Sequence, residues 1–256
     1  MPGFPFFVQG VRVCHIERRA EFGYLAVVNP GIQLFGTTHL LILAAIPAIA
    51  GALSWMVRMK RELAGLLRSN LAAFLLVNEL IWYIYNVAEG WVHFPYGLPL
   101  DLCDVVVWLT IAAAFTGRPA LVELAYYWGI AGSSMAVLTP DLGVPLVSYP
   151  GVYFFLAHGG VVITALFLVW GELARPRPGS MWKALFWLNV YAAAIGGFNA
   201  IFRTNYFYLC EKPASASLLD YMGPWPFYLL TGELFGLVVF YLLALPFRGS
   251  AKQSRP

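Results

Sequence analysis

Charged residues are scarce in this sequence. Only 11% of the 256 residues are charged, whereas 60% are hydrophobic and 16% aromatic, and the mean hydropathy is +0.71. Soluble globular domains have about 25% charged residues, so the composition excludes an ordinary soluble domain. The basic residues lie in short loops and a tail, where anionic lipid headgroups are their natural neighbours, and we expect no nucleic-acid partner.

Cysteine is also rare. The three cysteines, Cys14, Cys103 and Cys210, include no CxxC pair, so the sequence predicts neither a disulfide framework nor a structural zinc site. The histidines are too scattered for a ligand signature such as HExxH, and we predict no metal or other cofactor. Residues 1–35 lack a continuous apolar core, and we expect them to form an arm that precedes the membrane rather than a cleaved signal peptide.

Long apolar runs make up most of the remaining chain. A membrane-spanning helix needs about 20 apolar residues, and seven stretches have that length between breaks rich in glycine, proline or charge. They cover residues 37–57, 71–91, 98–116, 120–139, 150–172, 182–203 and 225–247. The sequence therefore predicts an all-α polytopic membrane protein, with a seven-helix transmembrane domain over residues 36–247 and a basic tail over residues 248–256.

The basic residues predict an orientation. Eleven of the sixteen lysines and arginines fall on the side of the membrane that holds the loops after helices 1, 3 and 5 and the C-terminal tail. Because basic residues are enriched in cytoplasmic loops, we expect the N-terminus outside and the C-terminus in the cytoplasm.

Polar residues are predicted to gather in the outer half of the helix bundle. Cys103 lies between Asp101 and Asp104 at the start of the third helix, and His158 lies about 12 Å inside the fifth at 1.5 Å per residue. The same depth is expected for a further set of polar residues: Glu79, Asn86, Glu89, Asn199, Arg203 and Asn205. Ionisable groups in membrane helices usually face the bundle interior and form sites or pairs.

Two interpretations of these residues are open. A single membrane cysteine usually packs as a small hydrophobe, a histidine at this depth often makes structural hydrogen bonds, and Glu79, Asn86 and Asn199 are able to bridge helices. The functional interpretation joins Cys103 and His158, because a histidine that takes the proton of a thiol produces a nucleophilic thiolate. Their common predicted depth favours the second interpretation.

Five segments resemble a known group of proteins in their order and spacing. "LPLDLCD", "LTPDL", "FFLAHGG", "FNAIFRTNYFYLCEKP" and "ASLLDYMGPWPFY" are similar to segments of the YwaF-like bacterial integral membrane proteins and of their animal relatives, the transmembrane ether-phospholipid acyltransferases. The resemblance implies a seven-helix membrane fold and the transfer of a fatty acyl group through an essential cysteine and histidine. By motif position these residues are Cys103 and His158.

The leading hypothesis is a membrane phospholipid acyltransferase, in which Cys103 is the nucleophile and His158 the general base. The protein would be a multi-pass membrane protein, and its substrates would be phospholipids or lysophospholipids of the membrane that it spans. The family branch favours a bacterial cell membrane. Candidate residues for substrate contacts are Asp101, Asp104, Glu79, Asn86, Asn199, Arg203 and Asn205, the last three of which are also candidates for stabilising an oxyanion.

Three other functions remain open. An ion- or proton-coupled transporter or channel would use Glu79, Glu89, Asp101 and Asp104 as an acidic vestibule. A zinc hydrolase would join His39 and His158 with an aspartate of the third helix. A structural or lipid-scaffolding protein would need none of these chemistries. The acyl chain, the acceptor, the oligomeric state and protein partners are not predicted.

Overall fold

The computed structural model describes residues 32–140, 142, 144–213 and 218–252, and the regular secondary structure of this part of the chain is helical, without a named β-strand. Seven apolar helical segments dominate it. They are α1 (Thr37–Met59), α2 (Leu63–Ala88), α3 (Leu102–Thr116), α4 (Pro119–Leu138), α5 (Tyr149–Trp170), α6 (Ser180–Phe202) and α7 (Phe227–Ala244). Short 3₁₀ helices follow α6 and α7. The prediction of an all-α membrane protein is confirmed.

Six of the seven segments are long and apolar enough to cross a membrane, and α3 is the exception. Its 15 residues extend about 22 Å, which is less than the roughly 30 Å of a hydrocarbon core. The sequence predicted a start at Leu98, but the chain up to Asp101 forms an irregular loop with a bridge between His93 and Tyr96. The seven-span topology and the orientation therefore stay predictions.

The other helices follow the predicted runs with shifted ends. α2 begins at Leu63, eight residues before the predicted apolar run, because polar residues such as Arg68 continue a helix beyond its apolar part. α1 begins at Thr37 and α7 ends at Ala244. The predicted N-terminal arm lies almost wholly outside the described residues, as does Cys14.

α5 is the central helix, and it packs against α1, α2, α3 and α4. Its paired glycines allow the close approach that the sequence suggested. A Cβ built on Gly160 would lie 2.7 Å from Leu75 of α2, and one on Gly159 would lie 3.3 Å from Ile46 of α1. α6 and α7 pack on the other side, mainly against α4 and each other.

Large apolar side chains cover the outside of the bundle, including Trp55, Ile84, Ile201 and Leu230, each more than 60% exposed. Such a surface is stable in hydrocarbon and unstable in water. Two ends of the bundle are distinguished below. The cysteine end is the one at which α3 and α5 begin, and the basic end is the one at which α1, α3 and α5 finish, next to Arg58, Arg61, Arg118 and Arg177.

Candidate functional site at the cysteine end

The N-terminus of α3 is fixed by its own acidic residues. Asp101 is the N-cap and forms a capping box with Asp104, whose Oδ2 accepts a hydrogen bond from the Asp101 N–H at 3.2 Å. The Asp101 Oδ1 also accepts from the Phe207 N–H at 2.7 Å, which ties α3 to the loop after α6. Burial raises the pKa of the Asp101 carboxyl, and the hydrogen bond from Phe207 opposes that rise. Both aspartates thus have structural partners.

Cys103 lies in the first turn of α3, on the face that also carries Val106, Val107 and Thr110. Those three residues are buried, whereas the Cys103 side chain is a free and exposed thiol. The thiol interacts with the backbone N–H groups of Cys103 and Asp104, and the carboxylates of both aspartates are near enough to act on it electrostatically. The thiol is therefore at the open mouth of a seam that is otherwise closed.

His158 is half-buried on α5, and its ring orientation is set by the preceding turn. The Nδ1 atom lies 2.8 Å from the Phe154 carbonyl oxygen, and the Phe154 ring packs at a centroid distance of 4.3 Å. A carbonyl oxygen can only accept a hydrogen bond, so Nδ1 carries the proton in this pair. In the neutral imidazole the lone pair is then on Nε2, which is the atom able to take a proton.

A contact at Gly129 sets the relative height of Cys103 and His158. A Cβ built on Gly129 of α4 would lie 2.8 Å from Val161 of α5 and 3.6 Å from Val106 of α3, so these three residues meet at one level. Cys103 precedes Val106 by three residues, and His158 precedes Val161 by three residues. Because α3 and α5 both begin at the cysteine end, both groups lie about 4.5 Å, nearly one turn, above this contact.

No hydrogen bond joins the thiol to the imidazole among the residues that the structure describes. The two groups share a level above the Gly129 contact, and the thiol is accessible from the cysteine end. Catalytic hydrogen bonds are often long or absent until a substrate is bound. This arrangement is therefore compatible with a pair that engages on binding.

The Gly129 contact lies within an unusual segment of α4. Residues Ala125–Ser133 form a π-helix, flanked by α-helical turns. Such segments are rare and often occur at functional sites. Trp128 in this segment donates a hydrogen bond to the Ala184 carbonyl of α6 at 3.0 Å, which connects the site to the second half of the bundle. The sequence analysis did not predict the π-helix, since no residue pattern distinguishes it from an α-helix.

A buried carboxyl lies beside this region. Glu79 of α2 is fully buried, and its Oε2 accepts a hydrogen bond from the Tyr153 hydroxyl of α5 at 2.8 Å. Its Oε1 and the hydroxyl of Tyr83 make no hydrogen bond within 3.5 Å among the described residues, although the two side chains are near enough to interact with each other. Trp82 stacks on Tyr153 at a centroid distance of 4.1 Å. Glu79 and Asp104 are close enough to interact electrostatically, whereas Glu89 is exposed at the end of α2.

Tyr153 and Tyr83 were not among the predicted site residues. The prediction counted acids, amides, cysteine and histidine, and did not consider tyrosines. A partial signal existed, because Glu79 and Tyr83 are four residues apart on one helix and must share a face.

Two of the three predicted asparagines, Asn199 and Asn205, organise the loop after α6. Asn199 Oδ1 accepts from the Thr204 hydroxyl at 2.8 Å and from the Tyr206 N–H at 3.0 Å, while its Nδ2 donates to the Tyr206 carbonyl at 2.9 Å. Asn205 Oδ1 accepts from the backbone N–H groups of Cys210 and Glu211, and its Nδ2 donates to the Glu211 carbonyl at 2.7 Å. Their amides are engaged with backbone rather than directed towards the thiol.

The remaining predicted polar residues also have local roles. Arg203 is an exposed left-handed C-cap of α6, and Asn86 donates to the Trp82 carbonyl one turn earlier at 2.7 Å. Cys210 is disulfide-bonded, which the cysteine spacing did not predict. Cys103 is thus the free cysteine of the described residues.

Two tyrosines that the prediction omitted connect the loops at the cysteine end. The Tyr206 hydroxyl accepts from the Leu98 N–H and donates to the Pro95 carbonyl, both at 2.9 Å, and burial raises the pKa of Tyr206. The Tyr191 hydroxyl of α6 donates to the Leu100 carbonyl at 2.6 Å. These bonds hold the loop before α3 against α6 and its following loop, and so fix the position of Cys103.

Comparison with protein families identifies the chain at the family level. The model of the TMEM164 family matches residues 34–244, which is most of the sequence. The chain belongs to the TMEM164 family. The match confirms the animal-family part of the resemblance, while the YwaF-like part stays a prediction. Comparison with curated proteins and with solved structures gives no match.

The matched region includes α1 to α7 and every candidate residue of the cysteine end. Together with the apolar surface, membership makes this a multi-pass membrane protein in contact with lipid. Its location in a bacterial cell membrane stays a prediction.

The zinc hydrolase is not supported by the geometry. His39 is fully buried, where its Nδ1 accepts from the Phe35 N–H at 2.9 Å and its Nε2 lies 2.8 Å from the Val137 carbonyl oxygen. His39 therefore joins the start of α1 to the end of α4 instead of meeting His158. The described residues contain no group of three histidine, cysteine or acidic side chains suited to a metal ion.

Proposed function

We propose that this member of the TMEM164 family is a membrane phospholipid acyltransferase with Cys103 as nucleophile and His158 as general base. The observation that carries the proposal is the common level of the two side chains above the Gly129 contact. An exposed free thiol and a histidine with an available Nε2 lone pair stand on adjacent helices. Nucleophilic catalysis needs these two groups near each other.

The start of α3 contributes to the proposed chemistry. The first N–H groups of a helix have no partner within it and carry partial positive charge. The Cys103 thiol lies beside two of them, the N–H groups of Cys103 and Asp104. The Cys103 N–H is suited to an oxyanion that forms on a carbonyl attacked by the thiolate, whereas the Asp104 N–H already donates to the Asp101 carboxylate in the capping box. The Cys103 N–H replaces Asn199 and Asn205 as the candidate stabiliser, because those amides are engaged in the loop.

The reaction has two half-steps. His158 Nε2 takes the thiol proton, the thiolate attacks the ester carbonyl of a phospholipid, and the C–O bond breaks. The leaving alkoxide takes the proton from His158, which leaves a lysophospholipid and a Cys103 thioester. In the second half-step an acceptor hydroxyl gives its proton to His158 and attacks the thioester. The acyl C–S bond breaks, and the thiolate recovers the proton.

The position of the site suits lipid substrates. Cys103 is exposed at the end of an apolar seam, and large apolar side chains cover the surrounding surface. An acyl chain is therefore able to remain in the hydrocarbon while its ester approaches the thiol. Free thiols are otherwise buried in most proteins, so the exposure of this one favours a chemical role over simple packing.

Trapping the acyl-enzyme tests the proposal. The purified chain is incubated in mixed micelles with a phospholipid that carries a labelled acyl group. The expected result is a label on Cys103 that hydroxylamine removes, followed by transfer to added lysophospholipid. Cys103→Ala should lose both signals while keeping the unfolding temperature of the wild type. A hydroxylamine-sensitive label and full transfer in Cys103→Ala contradict the assignment.

The acidic residues support a second candidate, a proton-coupled transporter. Glu79 is a fully buried carboxyl with one oxygen unpartnered among the described residues, and Asp104 is near enough to interact with it. Intramembrane carboxyls of this kind often relay protons. Under this candidate Cys103→Ser keeps full cellular activity and Glu79→Gln removes it, which is the reverse of the result expected for the acyltransferase.

A further inference from the structure

A cleft with two polar residues in its lining lies at the basic end, far along the bundle from Cys103. It is lined by Gly51, Ser54, Trp55 and Arg58 of α1 and by Trp170 at the end of α5, and its volume is about 280 Å³. The four α1 residues follow helical spacing, so they form one stripe that descends from the end of the helix towards its middle. Nothing in the proposed acyl transfer uses this cleft.

Arg58 gives the upper part of the cleft a positive charge. Its Nε donates to the Trp170 carbonyl at 2.6 Å, and one terminal nitrogen donates to the same oxygen. A guanidinium has five N–H donors, so others remain available. Arg61 and Arg177 pair with Glu172 and Glu123, whereas Arg58 has no carboxylate within 4 Å in the described part of the chain.

Ser54 gives the middle of the cleft an unused hydrogen-bond donor. The residue is 3% exposed, and its hydroxyl has no partner among the residues with described side chains. A buried hydroxyl without a partner is costly, and a serine in a helix usually bonds to the carbonyl one turn earlier. The unpaired hydroxyl in the wall of a cleft therefore indicates an acceptor that a bound molecule supplies.

The lower part of the cleft is open and apolar. A Cβ built on Gly51 meets no atom within 4 Å. Trp55 and Trp170 flank the cleft, and both are partly exposed, as tryptophans at a membrane interface commonly are. From Arg58 the stripe passes through an amphipathic layer to an apolar one, which is the order of chemical groups in a phospholipid.

We propose that this cleft binds an anionic phospholipid of the leaflet at the basic end. The lipid phosphate would accept hydrogen bonds from Arg58, an ester oxygen would accept from the Ser54 hydroxyl, and the acyl chain would lie along Gly51. Ser54 is about 6 Å below Arg58 along the helix axis. That separation equals the thickness of one interfacial layer, roughly 5–8 Å, which divides headgroups from hydrocarbon.

Native mass spectrometry of lipid retention tests the site. The full chain is exchanged into micelles that contain phosphatidylglycerol or phosphatidylcholine, and retained lipid is counted. The wild type should retain phosphatidylglycerol in preference. Arg58→Gln should lower that retention about tenfold through loss of charge-assisted hydrogen bonds. Ser54→Ala should lower it several-fold without removing a charge.

Gly51→Leu provides a variant that fills the cleft, since a Cβ at this position meets no atom within 4 Å, and it removes the glycine penalty in a helix. It should abolish preferential retention while the unfolding temperature stays near or above that of the wild type. Arg61→Gln is the matched control, because it removes the same charge from the same end but outside the cleft. Cys103→Ala should retain lipid normally, which separates this site from acyl transfer.

Three outcomes overturn the proposal. Equal losses in Arg58→Gln and Arg61→Gln would indicate general attraction to negative charge. Undiminished retention in Gly51→Leu would place the lipid elsewhere. Complete displacement of phosphatidylglycerol by millimolar inorganic phosphate would assign the affinity to phosphate alone, with no contribution from the acyl chain.

Discussion

The two ends of the bundle treat their polar groups differently. At the basic end two arginines are paired, Arg61 with Glu172 and Arg177 with Glu123. At the cysteine end the Cys103 thiol is free and exposed, and the Glu79 Oε1 and Tyr83 hydroxyl lack partners in the described structure. An unpaired buried group costs free energy, and each end has one: Glu79 with Tyr83 at the cysteine end, and Ser54 in the cleft at the basic end. The ends differ in that the reactive thiol and the unpaired carboxyl oxygen lie at the cysteine end, whereas two arginines of the basic end are paired. Such sites are usually functional.

The largest predicted effect is on activity at the cysteine end. His158→Ala should lower acyl-transfer turnover by about a factor of 1,000, since a positioned base contributes roughly 10²–10⁴. The unfolding temperature should change little, because His158 bonds to a carbonyl of its own helix, which the helix also satisfies. Turnover is measured with a labelled phospholipid, and unfolding with a thermal-shift assay in detergent.

His39→Ala is the matched control for this histidine. His39 joins α1 to α4 through Nε2 and binds the Phe35 N–H through Nδ1, so its loss should reduce the free energy of unfolding by about 2 kcal/mol, near 1 kcal/mol per hydrogen bond. Turnover per folded molecule should persist. If His158→Ala instead lowers the unfolding temperature and keeps turnover per folded molecule, His158 has a structural role and the assignment of a general base is wrong.

The next effect concerns stability at the basic end. Glu123 is nearly buried and accepts three hydrogen bonds from Arg177, while the Arg177 side chain is 54% exposed. Arg177→Ala leaves a buried carboxylate without its cation, which is the costly way to break a pair. The unfolding temperature should fall more than for Glu123→Gln, which leaves only an exposed arginine. Arg61→Ala, whose pair is exposed on both sides, should change it least.

A third effect, smaller in free energy, is expected between the two ends. Gly129→Ala forces a Cβ to within 2.8 Å of Val161, directly below the level of Cys103 and His158. Overpacking of this kind costs about 1–3 kcal/mol, and turnover should fall about tenfold as the helices separate. Gly132→Ala is in the same π-helix but meets nothing within 4 Å, and should be neutral. If turnover and stability change equally in the two variants, the Gly129 contact does not set the positions of Cys103 and His158.

The sequence predicted the helices better than the site. Apolar runs locate membrane helices because hydrocarbon demands internal hydrogen bonding, and all seven runs are helical. Hydropathy does not register an N-cap, so the start of α3 was placed at Leu98 instead of Leu102. The apolar run over residues 98–116 therefore did not predict that α3 has only 15 residues.

The predicted depth of a polar residue in the membrane does not identify its hydrogen-bond partner. Depth alone assigned Asn199 and Asn205 to an oxyanion, yet both satisfy backbone groups of a loop whose conformation no local pattern specifies. Glu79 was located correctly on the interior, but its partner Tyr153 lies on another helix, 74 residues away. Long-range pairs of this kind depend on helix rotation and register, which are set by contacts such as those at Gly129 and Gly160.

The smallest predicted effect concerns Asp101, which lies at the cysteine end but has hydrogen-bond partners of its own, like the paired residues of the basic end. The sequence made it a candidate for substrate contact, and its carboxylate caps α3 and binds the Phe207 N–H. Asp101→Ala should therefore cost about 1 kcal/mol, the usual effect of losing an N-cap, whereas Asp101→Asn should cost less because its oxygen still caps. If the role is structural, the Michaelis constants for phosphatidylcholine and phosphatidylglycerol should shift together in both variants. A change in headgroup preference in Asp101→Asn, with stability retained, would instead make Asp101 a substrate contact.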